Sequence, residues 1–133
     1  MPGILIELTN RCNLSCHHCL DGRHRGDGDL KREILERILQ HARGHGFDYL
    51  SFTGGEPTLH SGFIEIITIV SEARYNFGFV TNGCNFTRIY EKLLPHHNKL
   101  TGITFSLEGA REETHDQLRG RGSYRKVMQA VSI

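Results

Sequence analysis

Four times along this chain a short apolar run gives way to a turn rich in glycine or cysteine, then to apolar residues at helical spacing. A recurrence of about thirty residues of this kind leaves few folds open. In the first run, residues 3–8, Ile4, Ile6 and Leu8 alternate with Leu5 and Glu7 and predict a buried strand. Asp29 then stands where it would cap a helix carrying Leu30, Ile34, Leu35, Ile38, Leu39 and Ala42 on one face, with Gly44 and Gly46 ending it. Residues 49–52 predict a second strand that closes on Gly54-Gly55, and Leu59, Phe63, Ile66, Ile67 and Val70 predict the helix after it. A third strand over 77–81 ends at Asn82-Gly83, and the stripe Phe86, Ile89, Tyr90, Leu93, Leu94 runs until Pro95 stops it. The fourth strand is predicted over 100–107, with Ile103, Phe105 and Leu107 on one face and Thr104 and Ser106 on the other. Ser123 then caps a last helix bearing Tyr124, Val127, Met128 and Val131. Strands alternating with helices pair in parallel through right-handed crossovers. Such α/β sheets place their sites beyond the C-terminal ends of the strands, where every conspicuous motif of this chain falls.

The loop after the first run carries the sharpest chemical signal. Cys12, Cys16 and Cys19 are spaced C-x3-C-x2-C within eight residues. Soft thiolates select zinc, copper(I) or iron–sulfur clusters. A closed zinc site takes four ligands, whereas a cluster held by three thiolates keeps one iron open to an outside ligand. On spacing alone, a zinc knuckle completed by His17, His18 or His24 weighs equally with a [4Fe–4S] cluster. The loop continues through residues 21–28, whose glycines and charges exclude regular structure.

Composition narrows the classes. The 133 residues suffice for one domain spanning 1–133, and 38% hydrophobic with 23% charged residues is ordinary for a globular chain. A formal charge of +1 predicts neither a nucleic-acid partner nor a membrane surface. The N-terminus lacks the layout of a signal peptide, and no apolar run approaches membrane-spanning length. Three clustered cysteines of four are not a disulfide framework and predict metal binding in a reducing cytoplasm.

Further motifs follow the cysteines in order: Gly54-Gly55-Glu56-Pro57, Thr81-Asn82-Gly83, Ser106-Leu107-Glu108-Gly109, and His115-Asp116 through Arg119-Gly120-Arg121-Gly122-Ser123-Tyr124. With these and the residues Glu7 to Leu14 around the first cysteine, the chain resembles radical S-adenosylmethionine (radical SAM) enzymes over almost its whole length. The resemblance implies a partial parallel (β/α) barrel, with about four of the family's six strand–helix units present. On that reading the core is truncated on its C-terminal side and the fourth strand is an unprotected edge. It implies that Cys12, Cys16 and Cys19 hold three irons of a [4Fe–4S] cluster, with S-adenosylmethionine (SAM) on the open iron through its amino and carboxylate groups. The reduced cluster then cleaves the sulfonium to methionine and a 5′-deoxyadenosyl radical, which abstracts hydrogen from substrate. Gly54, Gly55 and Glu56 match the segment that binds SAM's amino group, His18 the slot against the adenine, and Ser106 the strand that contacts ribose or carboxylate. Asn82 could hydrogen-bond a polar ligand in the same mouth. Glu108 stands where many relatives carry Asp. A one-electron donor such as flavodoxin or ferredoxin is implied, and the motif style resembles members that modify peptides or tetrapyrroles, so the substrate is a peptide or a small molecule. The rival readings are a zinc-binding interaction module and a catalytically incompetent half-barrel.

Other residues take plainer roles. The glycine pair lets backbone approach a ligand closely. Cys84 is a structural thiol, Arg119, Arg121, Arg125 and Lys126 form a solvated basic face, and His41, His45, His60, His96 and His97 lie on helices or at their ends, away from strand C-termini.

Overall fold

Two rows of apolar side chains cross a four-stranded parallel sheet in the computed structural model, which describes residues 2–19 and 26–133. The strands are β1 (Gly3–Glu7), β2 (Tyr49–Thr53), β3 (Asn76–Thr81) and β4 (Leu100–Phe105), in the spatial order β1-β2-β3-β4. The register aligns Ile4, Leu50, Phe77 and Leu100 in one row and Ile6, Phe52, Phe79 and Ile103 in the next. Alternation along β1, β2 and β3 sends both rows to the same face, and a register shift at Phe77/Gly78 brings Leu100 and Ile103, three residues apart on β4, into line with them. Helices α1 (Arg32–Gly44), α2 (Phe63–Glu72) and α3 (Phe86–Leu93) follow the first three strands and bury Leu35, Leu39, Phe63, Ile66, Ile67, Val70, Phe86 and Ile89 in the common core. Burial of each such side chain contributes about 1.5–3 kcal/mol. Phe63 meets Phe79 edge-on at 5.4 Å, and Phe86 meets Phe105 at 5.1 Å, so the rings tie helices to strands.

Several boundaries differ from the sequence reading. Asp29 does not cap α1, whose flanking residue is Lys31. Leu59 belongs to a separate tight turn, Pro57–Leu59, that precedes α2. Pro95 lies inside a short 3-10 turn, Leu94–His96, because proline suits the first turn of a helix as well as its end. β4 stops at Phe105. Ser106 still donates its amide to the Thr81 carbonyl (2.9 Å), but Leu107 has left the sheet and is 49% exposed.

The largest departure is an additional helix, α4 (Glu112–Arg119), ahead of α5 (Ser123–Val131). Ser123 is not the cap of α5. Gly122 precedes the helix with a left-handed φ of 82°, and Asp116 on α4 takes the cap's task from a distance. Its carboxylate accepts from the amides of Gly122 (2.6 Å) and Tyr124 (2.9 Å) and from the Ser123 hydroxyl (3.2 Å). The two helices are thereby latched together. Residues 20–25, including His24, lie outside the described residues.

Candidate functional site

The cysteine loop is closed at its base by Asp29. Thr9 pairs with Asp29 in a single antiparallel bridge, the amide of Asn10 donates to the Gly28 carbonyl (2.9 Å), and that of Leu30 to Leu8 (2.7 Å). The Asp29 carboxylate accepts from the Thr9 hydroxyl (2.6 Å), the Arg11 guanidinium (3.1 Å) and the Ser61 amide (3.0 Å). Burial pushes this carboxyl up, but the hydrogen bonds from Thr9 and Ser61 outweigh it and hold the pKa at about 2. His60 supports the same corner: its ring nitrogens meet the Leu30 carbonyl and the Gly62 amide, at 2.9 Å each.

The loop then rests on the end of β2. Gly55 donates its amide to Thr9 (2.8 Å) and Glu56 to Arg11 (2.7 Å). Gly54 adopts φ +138°, and a β-carbon on it would stand 2.5 Å from the Thr9 carbonyl oxygen. A β-carbon on Gly55 would collide with the Arg11 carbonyl. The glycine pair thus makes room for the protein's own cysteine loop, where the sequence suggested room for a ligand. Glu56 is 1% exposed. One carboxylate oxygen accepts from the Thr58 hydroxyl (2.6 Å), the Thr81 hydroxyl (2.8 Å) and the Thr58 amide (3.3 Å), the other from the Asn82 amide (2.7 Å). Four donors compensate the buried charge and join the end of β2 to the end of β3. The carboxylate therefore faces protein donors, whereas the sequence suggested that it would meet an ammonium. Asn82 reaches back to the loop, donating to Asn13 Oδ1 (2.8 Å) with the same nitrogen 3.9 Å from Cys12 Sγ, while its own oxygen accepts from the Cys84 amide (2.9 Å).

From the other side the last turn of α4 closes over the loop. The His17 amide donates to the Leu118 carbonyl (2.9 Å). Arg119 is not part of a solvated face: its side chain is 15% exposed, and it donates to Glu108 Oε1 from Nη2 (2.7 Å) and Nε (3.2 Å). Its Nη1 lies 3.9 Å from Cys16 Sγ. His18 Nε2 meets the same Glu108 oxygen at 3.2 Å. The hydrogen bond from Arg119 holds the Glu108 carboxyl below its usual range. Behind them His115, buried, accepts the Glu108 amide on Nδ1 (3.1 Å), and its burial lowers its pKa, favouring the neutral ring that this acceptance requires. Arg121, Arg125 and Lys126 are exposed as the sequence suggested.

These elements enclose one cavity of about 250 Å³. Cys12, Cys16, Cys19 and His18 line one side, and Gly54, Gly55, Glu56, Asn82 and Ser106 the strand ends opposite, so all nine sequence-predicted residues meet there. Arg119, Thr53, Val80 and Thr81 also line it and were missed. A charge of opposite sign in Glu108 was the available signal for Arg119; the strand-end residues carry none beyond their position. The four cysteines are thiols, and burial pushes that of Cys84 up. Among the described residues no three His, Cys, Asp or Glu side chains converge on a single metal-ligating point. A larger pocket of about 390 Å³ lies against Ile4, Ile34, Ile38 and Phe47, with Arg37, His41 and His45 also lining it, away from the cysteine loop. No helix among the described residues is long and apolar enough to cross a membrane.

Comparison with known proteins places this geometry. The model of the Radical SAM superfamily matches residues 6–133. The chain is similar to the sporulation killing factor maturation protein SkfB of Bacillus subtilis, 33% identical over 128 residues, which are 95% of this chain and 31% of SkfB. It is 32% identical to the mycofactocin maturase MftC of Mycolicibacterium smegmatis, over 94% of this chain and 32% of MftC. Among solved structures, anSMEcpe with bound AdoMet and Cp18Cys peptide superposes with a TM-score of 0.76 at 25% identity, covering 98% of this chain and 38% of that one. The chain spans about a third of the length of these curated relatives. Its four parallel strands, alternating with helices, match part of the radical SAM barrel.

Proposed function

This chain belongs to the radical SAM superfamily, and on that premise we propose that it binds a [4Fe–4S] cluster and SAM for hydrogen-atom abstraction from a peptide. The observation that carries the reading is the single cavity with three thiols on one side and three strand ends on the other. The donor set suits the family's cluster: three soft sulfurs from one short loop, held against a backbone surface shaped for that loop. Cys12, Cys16 and Cys19 are the ligands. The backbone of Gly54-Gly55-Glu56, with Asn82 and Ser106, holds the polar end of SAM, and His18 lies beside the adenine. When bound, cluster and SAM supply one-electron cleavage of a sulfonium and hydrogen abstraction, chemistry that no side chain offers. The chain's own residues seat the loop through Asp29 and the glycines, fix the strand ends through Glu56, and close the loop's far side through Arg119.

Peptide chemistry is favoured over a small molecule because the similar solved structure holds a peptide and the similar curated proteins are named for maturation. An external one-electron donor such as flavodoxin or ferredoxin completes the system. Anaerobic reconstitution tests the reading. It should yield about four irons and four sulfides per chain, lost in Cys12→Ala, Cys16→Ala and Cys19→Ala and kept in Cys84→Ala. SAM should alter the EPR spectrum of the reduced protein. Stoichiometric zinc with no cluster absorbance would instead establish a zinc module, and an intact cluster indifferent to SAM an incompetent half-barrel.

A further inference from the structure

Among the described residues lining the cavity, Arg119 is the only arginine or lysine, and its orientation is fixed from behind. Two of its nitrogens, Nε and Nη2, share one edge of the guanidinium, and both donate to Glu108 Oε1. Nη1 projects from the opposite side toward Cys16 Sγ, 3.9 Å away. The arrangement is a dipole with its negative end on Glu108 and its positive end on a cysteine sulfur. Its carrier, α4, is itself docked on the loop by the bond from His17 to Leu118. A fork against a carboxylate gives a guanidinium one direction in which to point, which a lysine would lack.

We propose that Arg119, aimed by Glu108, is a positioning residue for Cys16 that raises the reduction potential of the bound cluster. This inference rests on the function proposed above. A cluster on three thiolates is anionic and gains negative charge on reduction, so a nearby positive charge stabilises the reduced form more than the oxidised one. Hydrogen bonds to the sulfurs and local charge are the protein's means of setting such a potential. The opposed charge of Glu108 tempers the effect, and the two residues therefore act with opposite signs.

The test is an EPR-monitored redox titration of reconstituted holoprotein, without SAM, comparing wild type, Arg119→Gln and Glu108→Gln. Arg119→Gln is expected to shift the midpoint to more negative potential. Glu108→Gln, whose amide oxygen can still accept from Nη2, is expected to shift it to more positive potential. A purely structural clamp would loosen alike in both variants, so shifts in the same direction, or an unmoved midpoint in Arg119→Gln, overturn the proposal. If Arg119→Gln takes up no cluster, Glu108→Gln alone decides: a positive shift supports the proposal and any other result overturns it. A wild-type protein that takes up no cluster overturns the functional reading as well, which separates the two failures.

Discussion

The amide of Glu56 donates to the carbonyl of Arg11 at 2.7 Å, fastening the end of β2 to the residue before the first loop cysteine. Gly55 lies at this junction with no room for a side chain. Gly55→Val should therefore displace the loop, at a cost of about 1–3 kcal/mol for forcing atoms into packed space. Had the glycine pair served only the close approach of a ligand, as read from the sequence, the variant would keep its cluster and lose only SAM affinity. The geometry moves the defect one step earlier, to metal uptake. Iron analysis after anaerobic reconstitution checks this, and full iron content with a weakened EPR response to SAM would restore the earlier view.

Glu56→Gln should destabilise the apoprotein by about 1.5–3 kcal/mol, the range for hydrogen bonds to a charged group. An amide offers one acceptor oxygen and one donor nitrogen to four protein donors, so at least one of Thr58, Thr81 and Asn82 is left facing a donor. Urea unfolding of the two proteins gives the difference directly. An unchanged midpoint would mean that the strand ends are joined by other contacts.

Asp29→Asn should weaken the closed base of the loop by about 2 kcal/mol at pH 7, with a defined pH dependence. The folded pKa of about 2 lies below the ordinary 3.8. A depressed carboxyl contributes stability that is full above its unfolded pKa and is lost as pH falls through the folded one. The gap between wild type and variant should therefore hold from neutral pH down to about 4 and close toward 2. Thermal melts of the apoprotein at pH 7, 4 and 2.5 follow it, and a gap independent of pH would show that the charge is not what matters.

Asp116→Ala should unlatch α5 from α4 and lower the unfolding midpoint, as loss of a helix cap does. The loss should show in urea melts. Asp116→Asn, which can still accept from Gly122 or Tyr124, should recover part of it.

The sheet was legible because each strand is a short apolar run bounded by glycine or a polar turn, and the rows Ile4–Leu50–Phe77 and Ile6–Phe52–Phe79 follow from alternation, while the register shift that aligns Leu100 and Ile103 with them did not show in the sequence. α4 was not. Its eight residues bury only His115, so no apolar stripe announces it. Asp29 and Asp116 show a second limit. Each is the kind of residue that caps a nearby helix, but Asp29 is taken by Thr9 and Ser61 across the fold and Asp116 serves the following helix instead of its own. The cavity lining was legible as positions beyond strand ends, while the reasons for those residues were not. Gly55 faces Arg11, Glu56 faces Thr81, and Arg119 faces Glu108, pairings set by tertiary contact.

The residues of the cavity arrive from one rim of the sheet, beyond Thr53, Thr81 and Phe105. The opposite rim, where Asp48, Arg74 and Asn98 sit exposed ahead of β2, β3 and β4, carries turns remote from the thiols. The molecule is consequently addressable from behind. A short tether inserted at His97–Asn98 would fix it to a solid support with its sulfur-lined rim turned to solution, open to dissolved ligands and partners.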